Sequence, residues 1–233
     1  MNHSQTKHST KVCIIGAGPA GLMAAEVLSA AGVEVHVYDG MSSVGRKFLL
    51  AGIGGLNLTH SEDFEQFVSR YGSRQDALRP LLEAFGPSQL IAWVEGLGLK
   101  TFVGSSGRVF PTDMKASPLL RAWLRRLSQP SNGVPVQFHM RHRWVGWNDA
   151  QENLFTTPTG TVNVQADATI LALGGASWKR LGSDGAWVQA LQERGVTVSP
   201  LQPSNCGFDV QQSAHAGWSP VFAERFAGQP LKT

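Results

Sequence analysis

The chain has 233 residues, 42% of them hydrophobic and 16% charged, which excludes a disordered or fibrous protein and suits one large α/β domain or one domain and part of another. Its formal net charge of +3 comes from scattered Lys and Arg, densest at Arg121, Arg125 and Arg126, too thin a basic field to indicate nucleic acid. Two distant cysteines, Cys13 and Cys206, exclude a disulfide framework, and a polar opening with no long apolar span behind it sets the expectation of a cytoplasmic protein with no membrane partner.

Lys11 to Ile15 (KVCII) is apolar, partly β-branched and stopped by glycine, which predicts a buried parallel strand. Gly18 to Ala31 is rich in Ala, Leu and Met and is followed by Gly32, so a helix closed by a left-handed residue is expected. Val33 to Tyr38 alternates and ends at Asp39, completing a right-handed βαβ unit. Helices are expected over 64–71, 78–85 and 88–97, then a hairpin over 101–111. A further helix is read through Leu127, capped by Ser117 with Pro118 at its first position. These make a helical excursion over about 62–130. Strand-like runs from Val136, Arg143, Asn153 and Val162 indicate an antiparallel meander that returns through Ala168 to Leu173 into a central strand apolar on both faces. A last helix is expected over 184–194, with strand and loop past Pro200.

Gly16, Gly18 and Gly21 form a GxGxxG pattern with a strand before it, a helix after it and an acid closing the next strand. The physics of the pattern assigns Gly16 to the tight turn, Gly18 to close approach of a pyrophosphate and Gly21 to helix–strand packing. The helix N-terminus offers N–H groups and a positive dipole end to phosphates, so Gly16, Ala17, Gly18, Pro19, Ala20 and Gly21 are candidate cofactor contacts. Asp39 is placed to accept hydrogen bonds from a ribose diol and to repel a 2′-phosphate.

Past Asp39 comes GMSSVGRKFLLAGIGGLNLTH, a second glycine-rich segment with two adjacent cations. Five stretches occur in order: IGAGPAGLMAA; GRKFLLAGIGGLNLTH; GRVFP with Lys115-Ala116-Ser117 beyond it; ATILALGGASWKRLGSDGAW; and SPLQPSNCGFDV. On these the chain, from Lys11 to about Val210, resembles the BaiN-like bacterial flavoproteins of the glutathione-reductase-like, two-dinucleotide-fold superfamily. The resemblance implies an α/β fold: a Rossmann-like FAD-binding domain over 1–200, with a parallel sheet, an antiparallel β-meander and the helical excursion. It implies the start of an inserted β-rich domain in 201–233.

It also implies FAD as cofactor, NAD(P)H as a candidate co-substrate, and hydride transfer at flavin N5. Gly45, Arg46 and Lys47 would follow the cofactor toward its flavin end, and Asn57 and Thr59 would meet the flavin edge or stabilise a turn. Trp144 would pass the adenine, Gly174 and Gly175 would form the second FAD segment, and Arg108 would face substrate or solvent. The chain departs from the family pattern at Gly55-Leu56-Asn57, where many members have Gly-Arg-Cys-Asn, and at Leu173, where relatives often have Thr. Asp39 stands where Glu is commoner.

Members of the family are longer. A chain ending at Thr233 is therefore expected to hold the adenosine and pyrophosphate sites but only part of the flavin pocket, and to bind FAD weakly or not at all. Beside an FAD-dependent oxidoreductase stand two other readings, a non-catalytic or truncated nucleotide-binding remnant and an RNA-modifying flavoprotein. No histidine spacing suggests a metal, His139 and His142 reading as structural or exposed, and no GxSxG, HExxH or paired-cysteine motif is present. Substrate and catalytic residues stay unassigned.

Overall fold

The computed structural model describes residues 10–51, 54–202 and 219–226. The chain divides into two units, Met1–Val198 and Ser199–Thr233. In the first, β1 (Lys11–Ile15), α1 (Pro19–Ala30) and β2 (Glu34–Asp39) form the expected βαβ unit, with Gly32 in the left-handed region (φ 80°) behind the helix. Then come α2 (Arg46–Ala51), β3 (Thr59–His60), α3 (Phe64–Ser69), α4 (Gln75–Ala84), α5 (Pro87–Gly96), β4 (Thr101–Val103), β5 (Arg108–Pro111) and α6 (Ala116–Ser128). The unit is completed by β6 (Gln137–Met140), β7 (Arg143–Trp147), β8 (Asn153–Thr157), β9 (Gly160–Val164), β10 (Ala168–Leu171) and α7 (Trp187–Gln192).

Four strands make a parallel sheet in the order β10-β1-β2-β6, β7-β8-β9 form an antiparallel meander, and β3-β5-β4 a small antiparallel sheet. The period of two in β1 and β2 explains the layering. Val12, Ile14, Val35 and Val37 face one way, into a core with Leu22, Ala25, Leu120, Trp123 and Leu127 of α1 and α6. Cys13, Ile15 and Tyr38 face the other way, against Trp144, Phe155 and Val164 of the meander. Cys13 is fully buried. Each fully buried aliphatic side chain contributes about 1.5–3 kcal/mol to holding these layers together.

One acid joins the helical layer. The Glu26 carboxylate on α1 accepts from Trp93 Nε1 of α5 at 3.1 Å, Trp123 Nε1 of α6 at 2.6 Å and Arg126 Nη1 at 2.9 Å. The Arg126 of the basic cluster is thus a packing residue, whereas Arg121 and Arg125 remain exposed.

Five expectations need correction. The run from Val136 does not join the meander: as β6 it pairs parallel with β2 at the edge of the main sheet. Ser117 lies inside the first turn of α6 rather than capping it: Lys115 is the cap, and the Asp113 carboxylate holds the preceding turn by accepting from the Lys115 N–H at 3.1 Å. The segment after Gly45 opens as a short helix, not a loop, because RKFLLA consists of good helix formers. Among the described strands β10 stands at the edge of the sheet, half-buried, rather than at its centre. Its apolar composition reflects the layers on its two faces, not its rank in the sheet. Past Pro200, Pro220–Phe226 forms a helix (α8), started by Pro220 at the first position and by Ser219 Oγ accepting from the Phe222 N–H. The rest of the expected strand and loop, 203–218 and 227–233, lies outside the described residues.

Candidate dinucleotide site

A cavity of about 610 Å³ opens where the carboxyl ends of β1 and β2 meet the meander, the switch-point position at which open α/β sheets bind ligands. Its floor is the first glycine loop. Gly16 (φ 110°) turns the chain, and a Cβ there would lie 2.3 Å from the Ala172 carbonyl oxygen. At Gly21 a Cβ would lie 1.9 Å from the Gly16 carbonyl oxygen, so only glycine lets α1 sit this close to the loop. Gly18 is different: a Cβ there would meet nothing within 4 Å, and it caps α1 without a side-chain bond. The Ala20 and Gly21 N–H groups have no partner among the described hydrogen bonds. The floor is therefore an open cradle with unpaired donors at a helix N-terminus, an arrangement that fits a pyrophosphate.

The loop is held from both sides at one residue, Ala17. Ala17 N–H donates to Asp39 Oδ2 at 2.8 Å, and the Ala17 carbonyl accepts from Gly45 N–H at 3.0 Å. Asp39 Oδ1 also accepts from Met41 N–H at 2.8 Å, so the acid fixes the turn as well as facing the cavity. The two glycine-rich segments are thus parts of one site. Past Gly45 (φ 67°), Arg46 donates to Ser42 Oγ, and Lys47 Nζ donates to Ser177 Oγ in the segment after β10.

The far wall comes from the meander and α7. Trp144 and Trp187 line it, and between Trp144 and Gly146 the β7–β8 register shifts, leaving Val145 without a cross-strand partner at the cavity wall. Arg143 Nη2 donates to Asp184 Oδ2 at 2.6 Å, and Asp184 Oδ1 accepts from Ala186 N–H at 3.1 Å. Partial burial pushes the Asp184 carboxyl up, but the bonds from Arg143 and Ala186 outweigh it and hold the group below its ordinary value.

Behind the wall lies a layer of stacked rings. His36 Nδ1 and His139 Nε2 are 3.0 Å apart, Glu34 faces the other nitrogen of His36, and Tyr38 stacks on His139 with centroids 4.3 Å apart. Burial, then the neighbouring His36 and His142 and Lys11, push the His139 imidazole down to about 4. Burial likewise pushes the Tyr38 phenol up to about 12, with Cys13 adding to it. Both rings are neutral over the ordinary pH range.

Of the residues expected from the sequence, Gly16, Ala17, Gly18, Pro19, Ala20, Asp39, Gly45, Arg46, Lys47, Trp144 and Gly174 line this cavity. Gly21 lies behind the loop, and the Gly175 carbonyl accepts from Ser183 Oγ outside the wall. Asn57 is exposed and Thr59 is buried in β3, neither on the cavity wall, while Arg108 is exposed on β5. The sequence reading missed the Val145 bulge and the Arg143–Asp184 pair, neither of which has a local signal. Among the described residues no group of His, Cys, Asp and Glu could hold a metal, and no helix is long and apolar enough to cross a membrane.

Residues 10–217 match the family model described as the HI0933-like protein Rossmann domain. The chain belongs to this family. As an HI0933-like protein it is an FAD-binding Rossmann domain. It is similar to the 3-dehydro-bile acid delta(4,6)-reductase of Clostridium scindens, 26% identical over 196 residues, which cover 83% of this chain and 46% of that protein. It is also similar to the ribosomal RNA dihydrouridine synthase of Haemophilus influenzae, 24% identical over 216 residues, 86% of this chain and 49% of that protein. The chain spans about half the length of these curated relatives. Among solved structures, the 3-ketosteroid-delta4-(5alpha)-dehydrogenase of Rhodococcus jostii RHA1 shares the fold, with TM-score 0.56, 15% identity, and coverage of 83% of this chain and 56% of that one.

Proposed function

We propose that this HI0933-like chain carries the adenosine and pyrophosphate half of the FAD site of a flavin-dependent oxidoreductase. The observation that carries the reading is the open cradle at Gly18, bounded by unpaired N–H groups and by the Asp39 carboxylate in one cavity. Bound FAD would supply hydride transfer, the chemistry that no side chain can perform. The chain's own residues bind and orient. The Ala20 N–H group faces the pyrophosphate, Asp39 accepts from the ribose hydroxyls, and the backbone at the Val145 bulge meets the edge of the adenine beside Trp144. Arg46 and Lys47 add positive charge toward the flavin end.

The reductant in this reading is NAD(P)H, the location cytoplasmic, and residues 201–233 begin a second, inserted domain. The substrate is a small organic molecule of the class reduced by the bile-acid relative. The relation to the ribosomal RNA enzyme supports a second reading, an RNA substrate. Titration calorimetry of the purified chain with FAD and with ADP tests the site: comparable affinities are expected, because the adenosine half supplies most contacts. Failure of both to bind overturns the reading. Anaerobic NADH or NADPH added to the FAD-loaded protein should bleach the flavin bands, and salt-sensitive binding of ribosomal RNA would decide for the second reading.

A further inference from the structure

A Rossmann site distinguishes adenosine ligands at the ribose 2′ position. An acid at the end of the second strand accepts the 2′-hydroxyl and repels a 2′-phosphate, whereas an arginine nearby accommodates the phosphate. This cavity contains both signals. Asp39 supplies the acid, and Arg143 lies beside the next residue: a Cβ at Gly40 would stand 3.3 Å from Arg143 Cβ. Both Asp39 and Arg143 line the cavity. A free guanidinium here would offset Asp39 and match a phosphate bidentately.

The guanidinium is not free. Arg143 Nη2 is bonded to Asp184 Oδ2 at 2.6 Å, and the Asp184 side chain is only 16% exposed, against 51% for Arg143. Asp184 is itself fixed by the Ala186 N–H. Asp184 therefore engages the one guanidinium that could otherwise offset the Asp39 charge in this part of the cavity. Gly182 of the same loop packs on Met41, so a Cβ there would meet Met41 Cγ at 3.0 Å, and Lys47 reaches Ser177 further along. The loop that carries Asp184 is held against the turn that carries Asp39.

We propose that Asp184 is a specificity-determining residue: by occupying Arg143 it makes the cavity reject adenosine ligands bearing a 2′-phosphate and accept those with a free 2′-hydroxyl. The proposal rests on the reading of the cavity as an adenosine site. Its chemistry separates flavin adenine dinucleotide and non-phosphorylated nucleotides from 2′-phosphorylated ones.

The test compares 5′-AMP with adenosine 2′,5′-bisphosphate, which differ only in the 2′-phosphate, by NMR titration of the purified chain. The wild type is expected to bind 5′-AMP at least about tenfold more tightly. Asp184→Asn should shift the ratio at least about tenfold toward the bisphosphate, roughly the step expected from one charge-assisted contact. Arg143→Ala combined with Asp184→Asn should restore the rejection, and the retained 5′-AMP affinity of each variant shows that the cavity is intact. An unchanged ratio in Asp184→Asn, with 5′-AMP still bound, overturns the proposal alone. A wild type that binds neither probe overturns the reading of the cavity and the proposal with it.

Discussion

At the scale of single residues, the three glycines of the first loop differ in what they tolerate. Gly18→Ala adds a methyl to open space, so the melting temperature should stay at the wild-type value while affinity for ADP and FAD falls at least about tenfold, because the methyl enters the pyrophosphate cradle. Gly21→Ala puts a Cβ against the Gly16 carbonyl oxygen and should cost about 3 kcal/mol of stability. Thermal melts and calorimetric titrations of the two variants check this contrast. Such roles are legible in the sequence because a GxGxxG turn is local: the backbone problem it solves lies within six residues. Arg143 and Asp184 are 41 positions apart, and nothing in either neighbourhood names the other. The Ala17–Gly45 bond was hidden for the same reason, although both of its glycine-rich segments were visible.

At the scale of elements, α1 has two functions that meet at Glu26. Its N-terminus forms the cradle, and its outer face holds α5 and α6 through three donors to the Glu26 carboxylate. Glu26→Ala strands two indole N–H groups and a guanidinium, each a loss of about 1–3 kcal/mol when buried, so a drop of about 3 kcal/mol is expected. Glu26→Gln, which keeps one acceptor, should lose less, and urea unfolding of both variants measures the difference. Helix and strand positions were largely readable, since amphipathic period and terminal Pro or Gly act within each segment. Sheet order was not. The apolar run of β10 states that both faces are covered but carries no information on which strand pairs with its edges.

At the scale of the whole molecule, the layer between the parallel sheet and the meander makes stability depend on pH. An ordinary imidazole takes up a proton near 6.5, whereas His139 in the folded protein does so only at about 4. As pH falls, the unfolded chain binds this proton first, so stability present above 6.5 is lost progressively between 6.5 and about 4. The groups facing His139 are His36 with Glu34 behind it, Tyr38, His142 and the more distant Lys11. Urea midpoints across this window should decline for the wild type and decline less for His139→Phe, which keeps the stacking and removes the proton site. An equal decline in the variant would show that other groups carry the effect.

The same layer turns Cys13 into a timing device. Burial pushes its thiol up to about 12, so a thiol-specific reagent finds almost no thiolate and no path to it while β1 is paired on both edges. Alkylation at Cys13, followed residue by residue with mass spectrometry, therefore counts only the events in which the sheet itself opens. Ligand exchange through the cavity mouth leaves that count unchanged, which separates the lifetime of the fold from the residence time of whatever it holds.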